Sequence, residues 1–164
     1  MSTPNYNVLF ICTGNSCRSI LAEALLNARG HERFKAYSAG SHPSGAVNPL
    51  ALETLARLHL PSEGYRSKSW DEFAAPNAPL LDFVFTVCDK AAGEVCPVWP
   101  GQPMTAHWGM PDPALTEGTD AQKLQALTDT AMGLKLRIDL MLALPITSLD
   151  KMSLQRAISD IGKR

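Results

Sequence analysis

Val8-Leu9-Phe10-Ile11-Cys12-Thr13-Gly14-Asn15-Ser16-Cys17-Arg18-Ser19 is the stretch that decides the fold of this 164-residue chain. Its first four residues form a short β-branched and aromatic run, the kind that makes a strand buried on both faces. Behind it, Ile20, Leu21, Ala24, Leu25 and Ala28 recur at helical spacing, and Gly30 supplies a stop. The chain therefore opens as strand, tight polar loop, helix. Cys12-x5-Arg18-Ser19 is that loop.

The same pattern continues outward. Residues 34–38 predict a second strand ended by Ala39-Gly40, and 42–48 read as loop. Leu50, Leu55 and Leu58 predict a helix that Pro61 ends, and 82–87 form a second buried-strand signal. Residues 88–113 are rich in Gly and Pro, with a short edge strand expected at 104–108. From Asp120 onward, Leu124, Leu127, Ala131, Leu134, Ile138 and Met141 make one apolar stripe of a long helix closed by Pro145. A last amphipathic helix is expected at 154–161. Strands alternate with helices, so the expected class is α/β: a single three-layer domain over residues 1–164, with helices on both faces of an open parallel sheet.

Composition narrows the function. Hydrophobic residues are 45% and charged residues 19%, which is ordinary for a globular chain. A net charge of -1 argues against a nucleic-acid or anionic-membrane surface, both of which need concentrated positive charge, but it leaves room for one local anion site. No apolar run approaches the roughly 20 residues that span a bilayer. Residues 1–7 lack the basic and apolar regions of a signal peptide, so the expected location is cytoplasmic. Thiols in that compartment are seldom structural disulfides. The cysteines at 12, 17, 88 and 96 are spaced C-x4-C and C-x7-C, which fits no common zinc pattern, so no metal is expected there. Nucleophilic or redox chemistry is the leading reason to have them.

The loop has a physical logic of its own. At a helix start the backbone N–H groups lack partners and the positive end of the helix dipole lies behind them. Thr13, Gly14, Asn15, Ser16, Cys17, Arg18 and Ser19 can wrap their amides around a tetrahedral oxyanion. Gly14 permits close backbone approach, and Arg18 offers a planar fork for two oxygens. Cys12 lies at the base, where a positive field favours a nucleophilic thiolate to which Ser19 can donate a hydrogen bond. The plain alternative makes Cys12 a packed core cysteine and Arg18 a surface residue. No Gly-Lys-Ser or Gly-Lys-Thr follows, which excludes a Walker loop.

Cys12-Thr13-Gly14-Asn15-Ser16-Cys17-Arg18-Ser19 resembles the low-molecular-weight tyrosine phosphatase superfamily. The resemblance extends through Tyr37-Ser38-Ala39-Gly40, Thr86-Val87-Cys88 and His107-Trp108-Gly109…Asp112-Pro113, nearly the whole chain. It implies a four-stranded parallel sheet flanked by helices, with Asp112 on a distant Asp-Pro loop as general acid. A phosphatase of this superfamily has no use for Cys88 and Cys96, and it usually carries an aromatic residue where this chain has Ala114. Val87-Cys88-Asp89…Cys96-Pro97 looks like the thioredoxin-coupled arsenate reductases, which add two cysteines after the third strand.

The resemblance implies that Cys12 attacks arsenate, Asp112 protonates the departing oxygen, Cys88 attacks the Cys12 sulfur and Cys96 carries the disulfide outward. Seven residues separate Cys88 from Cys96, where well-known members have six. Phosphate or sulfate would bind as analogues, and thioredoxin or glutaredoxin would reset the enzyme. No tightly bound cofactor is implied. Asn15, Glu23 and Ser38 match a potassium site of some reductases, but Ser69 stands near the position of its acidic residue, so the set is incomplete. Cys17 is expected to point away from the anion. Two other readings remain at this point: a protein tyrosine phosphatase, and a noncatalytic anion-binding or redox-sensor module.

Overall fold

The computed structural model describes residues 5–88 and 99–163, so the expectations for Cys96 fall outside the described residues. Strand β1 (Tyr6–Cys12) takes the centre because Val8, Leu9, Phe10 and Ile11 are all apolar and fully buried. It pairs in parallel with β2 (Phe34–Gly40) on one side and β3 (Phe83–Thr86) on the other. Strand β4 (Met104–His107) pairs with β3 and completes a four-stranded sheet of order β2-β1-β3-β4. The expected edge strand is therefore present.

Side chains alternate across a strand, so register decides the two faces. Phe10 lies opposite Phe85, and Phe85 stacks on Trp108 with ring centroids 4.0 Å apart. Helix α1 (Arg18–Arg29) meets this face where Ser38 Oγ donates to Glu23 Oε1. The opposite face carries Tyr37, which packs edge-on against Phe73 of the 3₁₀ turn Trp70–Phe73. Helices α2 (Pro49–Arg57), α3 (Asp120–Leu142) and α4 (Lys151–Ile161) complete the described helices. Trp108 Nε1 donates to the Ile158 carbonyl of α4. Side-chain amides occupy both exposed sheet edges: Asn27 brackets the backbone of Ala36 on β2, and Gln155 donates to the Thr105 carbonyl on β4. An edge occupied in this way is a poor template for another strand. No described helix is long and apolar enough to cross a membrane.

Several boundaries move from their expected places. Strand β2 runs on through Ala39 and Gly40, which pair with Ile11 and Cys12. Helix α2 stops at Arg57, before Pro61, because His59 turns left-handed at φ 61. His59 N–H then donates to Ala56 O and Leu60 N–H to Leu55 O, the paired closure usually built on glycine. Helix α3 ends at Leu142, ahead of Pro145; at its start Thr119 and Gln122 form a capping box. Its buried face is the expected stripe plus Thr130 and Arg137.

Phe85 sits between Phe10 and Trp108, with ring centroids 5.7 and 4.0 Å away. Replacing it with alanine opens a cavity at the centre of the sheet. Phe85→Ala is expected to lower the unfolding free energy by about 3–5 kcal/mol in a denaturant titration. A loss below about 1 kcal/mol would show that the aromatic stack is not the core's anchor.

Candidate active site

The loop between β1 and α1 is shaped from outside. His42 N–H donates to the Thr13 carbonyl at 2.9 Å, Ser44 N–H to Gly14 at 3.0 Å and Asn48 N–H to Ser16 at 2.8 Å. Ser67 Oγ also donates to Gly14 O at 3.0 Å. In a trans peptide the C=O of one residue and the N–H of the next point in opposite directions. Anchoring these carbonyls outward turns the N–H groups of Gly14, Asn15 and Cys17 inward. Cys17 is the N-cap of α1 and makes no side-chain capping bond, so no cap side chain covers the helix start. Gly40 lies so close that a Cβ there would come within 2.5 Å of the Thr13 carbonyl oxygen.

Cys12 ends β1 as a buried free thiol, its Sγ 2.9 Å from Ser19 Oγ. Asn15 leaves that hydrogen bond free to run from Ser19. Lys68 N–H donates to Asn15 Oδ1 at 2.9 Å, which leaves Nδ2 to donate to Ser19 Oγ at 2.8 Å. Ser19 accepts from Asn15, so its own hydrogen is free to serve the Cys12 sulfur. Asn15 does this from the left-handed region, at φ 46, a conformation asparagine tolerates better than most residues.

Arg18 and Asp112 converge as expected. Arg18 Nη2 lies 3.5 Å from Asp112 Oδ2, and Nη1 donates to the Met110 carbonyl at 2.9 Å. Asp112 immediately precedes the turn Pro113–Leu115. Cys88 is buried at the C-terminal end of β3, and its Sγ is 3.5 Å from Thr13 Oγ1. The register explains this: Ile11 pairs with Thr86, and Val87 N–H donates to Ile11 O, so the next residue of each chain lies alongside the other. Burial pushes the Cys17 thiol up to about 12, which makes it a poor nucleophile.

Behind the loop, Glu23 accepts from Ser38, and burial raises its carboxyl above the ordinary value. The positive charges acting on it come from Lys68 and Arg66 of this chain. Ser67 and Lys68 were not singled out from the sequence: they lie in a segment with no helix or strand periodicity. His107 shares a hydrogen bond with Thr86 Oγ1 through Nδ1.

Three thiols in distinct settings make alkylation a direct probe. At pH 8 a thiol titrating near 12 is thiolate in about 1 molecule in 10⁴, so native Cys17 is expected to escape iodoacetamide. Cys12 is expected to label, and inorganic phosphate to protect it. Ser19→Ala should slow that labelling at neutral pH because a donor to the thiolate is gone. Gly40→Ala should abolish phosphate protection by driving a methyl into the loop backbone. Peptide mapping reads all of these. Undiminished phosphate protection of Gly40→Ala would count against the loop as the anion site.

The model of the family described as low molecular weight phosphotyrosine protein phosphatase matches residues 7–142. The arsenate reductase of Halalkalibacterium halodurans is 38% identical over 116 residues, covering 71% of this chain and 80% of that protein. A solved arsenate reductase in its phosphate binding state superposes with a TM-score of 0.66 at 25% identity, over 84% of this chain and 97% of that one. The thioredoxin-dependent arsenate reductase of Corynebacterium glutamicum gives 0.58 at 27% identity, over 85% of this chain and 65% of that one. A match over residues 7–142 places the chain in the low molecular weight phosphotyrosine protein phosphatase family, and arsenate reductases are among its relatives there.

Proposed function

We propose that the protein reduces arsenate to arsenite for arsenic detoxification, with Cys12, Cys88 and Cys96 as a thiol relay. The observation that carries this reading is the buried Cys88 thiol 3.5 Å from Thr13 of the oxyanion loop. Simple hydrolysis of a phosphoester gives a second thiol at that spot nothing to do.

Arsenate is tetrahedral and anionic, like phosphate, and is held by the inward amides and the Arg18 fork. The Cys12 thiolate bonds to arsenic while one oxygen departs as water, with Asp112 supplying a proton. The Cys88 thiolate then attacks the Cys12 sulfur. The sulfur–arsenic bond breaks and its electron pair stays on arsenic, which leaves as arsenite, while a Cys12–Cys88 disulfide forms. Cys96 attacks Cys88 and frees Cys12 as a thiolate. The resulting Cys88–Cys96 disulfide is reduced by an external dithiol protein, thioredoxin in preference to glutaredoxin. Two protein thiols lose two electrons for each arsenate reduced. The chemistry suits the cytoplasm, where the reductant pool keeps thiols reduced.

The variants separate reductase from phosphatase. Cys12→Ser is expected to stop both arsenate reduction and aryl-phosphate hydrolysis. Cys88→Ser should stop reduction alone, because water can resolve a phospho-cysteine but cannot supply electrons. Cys96→Ser should release one arsenite per enzyme and stall as a Cys12–Cys88 disulfide. Thiol blocking with peptide mass mapping after a single turnover identifies each species. Normal cycling of Cys88→Ser with thioredoxin, its reductase and NADPH would overturn the relay.

The cradle itself is tested by two conservative changes. Arg18→Lys should lose far more turnover than retention of charge suggests, since an ammonium cannot hold two oxygens in a plane. Asp112→Asn should slow the first step by about 10²–10⁴-fold while leaving phosphate protection of Cys12 intact. A normal single-turnover rate for Asp112→Asn across pH would remove Asp112 from the acid role.

A further inference from the structure

Helix α3 contributes to the site without reaching the oxyanion loop. Arg137 stands on its buried stripe, where the periodicity calls for an apolar residue, and is only 8% exposed. Burying a guanidinium is costly unless its donors are used. Its Nη1 donates to the carbonyls of Trp108 at 2.8 Å and Gly109 at 3.0 Å, the first residues of the segment that leads to Asp112. One helical turn earlier, the Met110 side chain lies against the bare backbone of Gly133: a Cβ there would stand 2.5 Å from Met110 Cε, the flexible tip of that side chain. Residues four apart lie on one helix face, so Gly133 and Arg137 form a single seat.

Past this seat a cavity of ≈ 320 Å³ lies against Pro111, Asp112 and Pro113, between them and Ala126, Asp129 and Thr130 of α3. The position of Asp112 is set by Arg18 at the tip of its loop and by the root of the loop, at residues 108–110. Trp108 N–H and Met110 N–H are tied to the carbonyls of Thr86 and Val87. Those bonds tie the backbone to β3 and the residue after it, while Arg137 ties it to α3 and Gly133 leaves room there for the Met110 side chain.

We propose that Gly133 and Arg137 are positioning residues that seat the acid-bearing loop on α3 and hold Asp112 beside Arg18 for proton delivery. The inference rests on the reading of Asp112 as the proton donor. A displacement on the order of 1 Å at such a group can cost about 10²-fold in rate.

The test is a double-mutant cycle on the full-length protein. Arsenite formed in a single turnover, without external reductant, is timed for wild type, Gly133→Ala, Arg137→Met and Arg137→Lys. Each is made in the native and the Asp112→Asn background, with phosphate protection of Cys12 as the measure of anion binding. Gly133→Ala is the sharper probe, because alanine favours a helix over glycine by about 1 kcal/mol. Its expected signature is a melting temperature unchanged or raised together with a single turnover slowed at least about tenfold.

Arg137→Met is expected to slow the step similarly, and Arg137→Lys by less. Phosphate protection should stay within about twofold of wild type. In the Asp112→Asn background both Gly133→Ala and Arg137→Met should lose most of their effect, since they act through a carboxyl that is no longer there. Equal slowing in both backgrounds would overturn the proposal and leave a structural role only. So would a Gly133→Ala enzyme that turns over at the wild-type rate. If Asp112→Asn alone turns over normally, the acid assignment itself has failed. If Asp112→Asn is slow while the α3 variants are normal, the seat alone has failed.

Discussion

Hydrogen bonds to the carbonyl oxygens of Thr13, Gly14 and Ser16 are the constraint on which the rest of this structure depends. Without them the peptide planes of the loop would be free to rotate, and an anion would have to pay for ordering them. With them, the amides face inward before any anion arrives. The donors come from residues 42–48 and from Ser67, and those segments are themselves held by the end of β2, where Gly40 N–H donates to Lys68 O. Cradle and sheet are one hydrogen-bonded object.

That object carries two groups of candidate site residues. The first, around the proposed nucleophile, is the chain Lys68 N–H, Asn15, Ser19, Cys12, linked by successive hydrogen bonds. The second, around the proposed acid, is the loop from Trp108 to Asp112, tied to Arg18 at its tip and to Arg137 at its root. Parallel pairing sets both groups at the same end of the sheet, because strands that run the same way deliver their following residues to one edge. Cys12, Cys88 and Trp108 each end or follow a strand there.

Apolar burial and polar function share the same elements with little conflict. The stack of Phe10, Phe85 and Trp108 anchors β1, β3 and the root of the acid loop together. Trp108 thus links core packing to the placement of Asp112. Arg137 is the charged residue on a largely apolar stripe, and its cost is offset at the Trp108–Asp112 loop it bonds to.

The sequence by itself determined what is encoded over a few residues. Alternation of strands and helices, the oxyanion loop at Cys12–Arg18, and the apolar stripe of α3 follow from periodicity and from the chemistry of one helix start. The family motif added Cys88, Arg18 and Asp112 as partners. Tertiary structure alone decided how those parts touch. Thr13 meets Cys88 across 75 residues of chain, Arg18 meets Met110 across 92, and Asn15 meets Lys68 across 53. No local pattern marks Ser67 or Lys68, because a backbone donor in a strap can come from any residue type. His59 ends α2 where glycine would be read as the signal. Arg137 has backbone carbonyls as its partners, and these have no side-chain signature to read. Periodicity records which face is buried; it does not record which backbone atom lies on the other side.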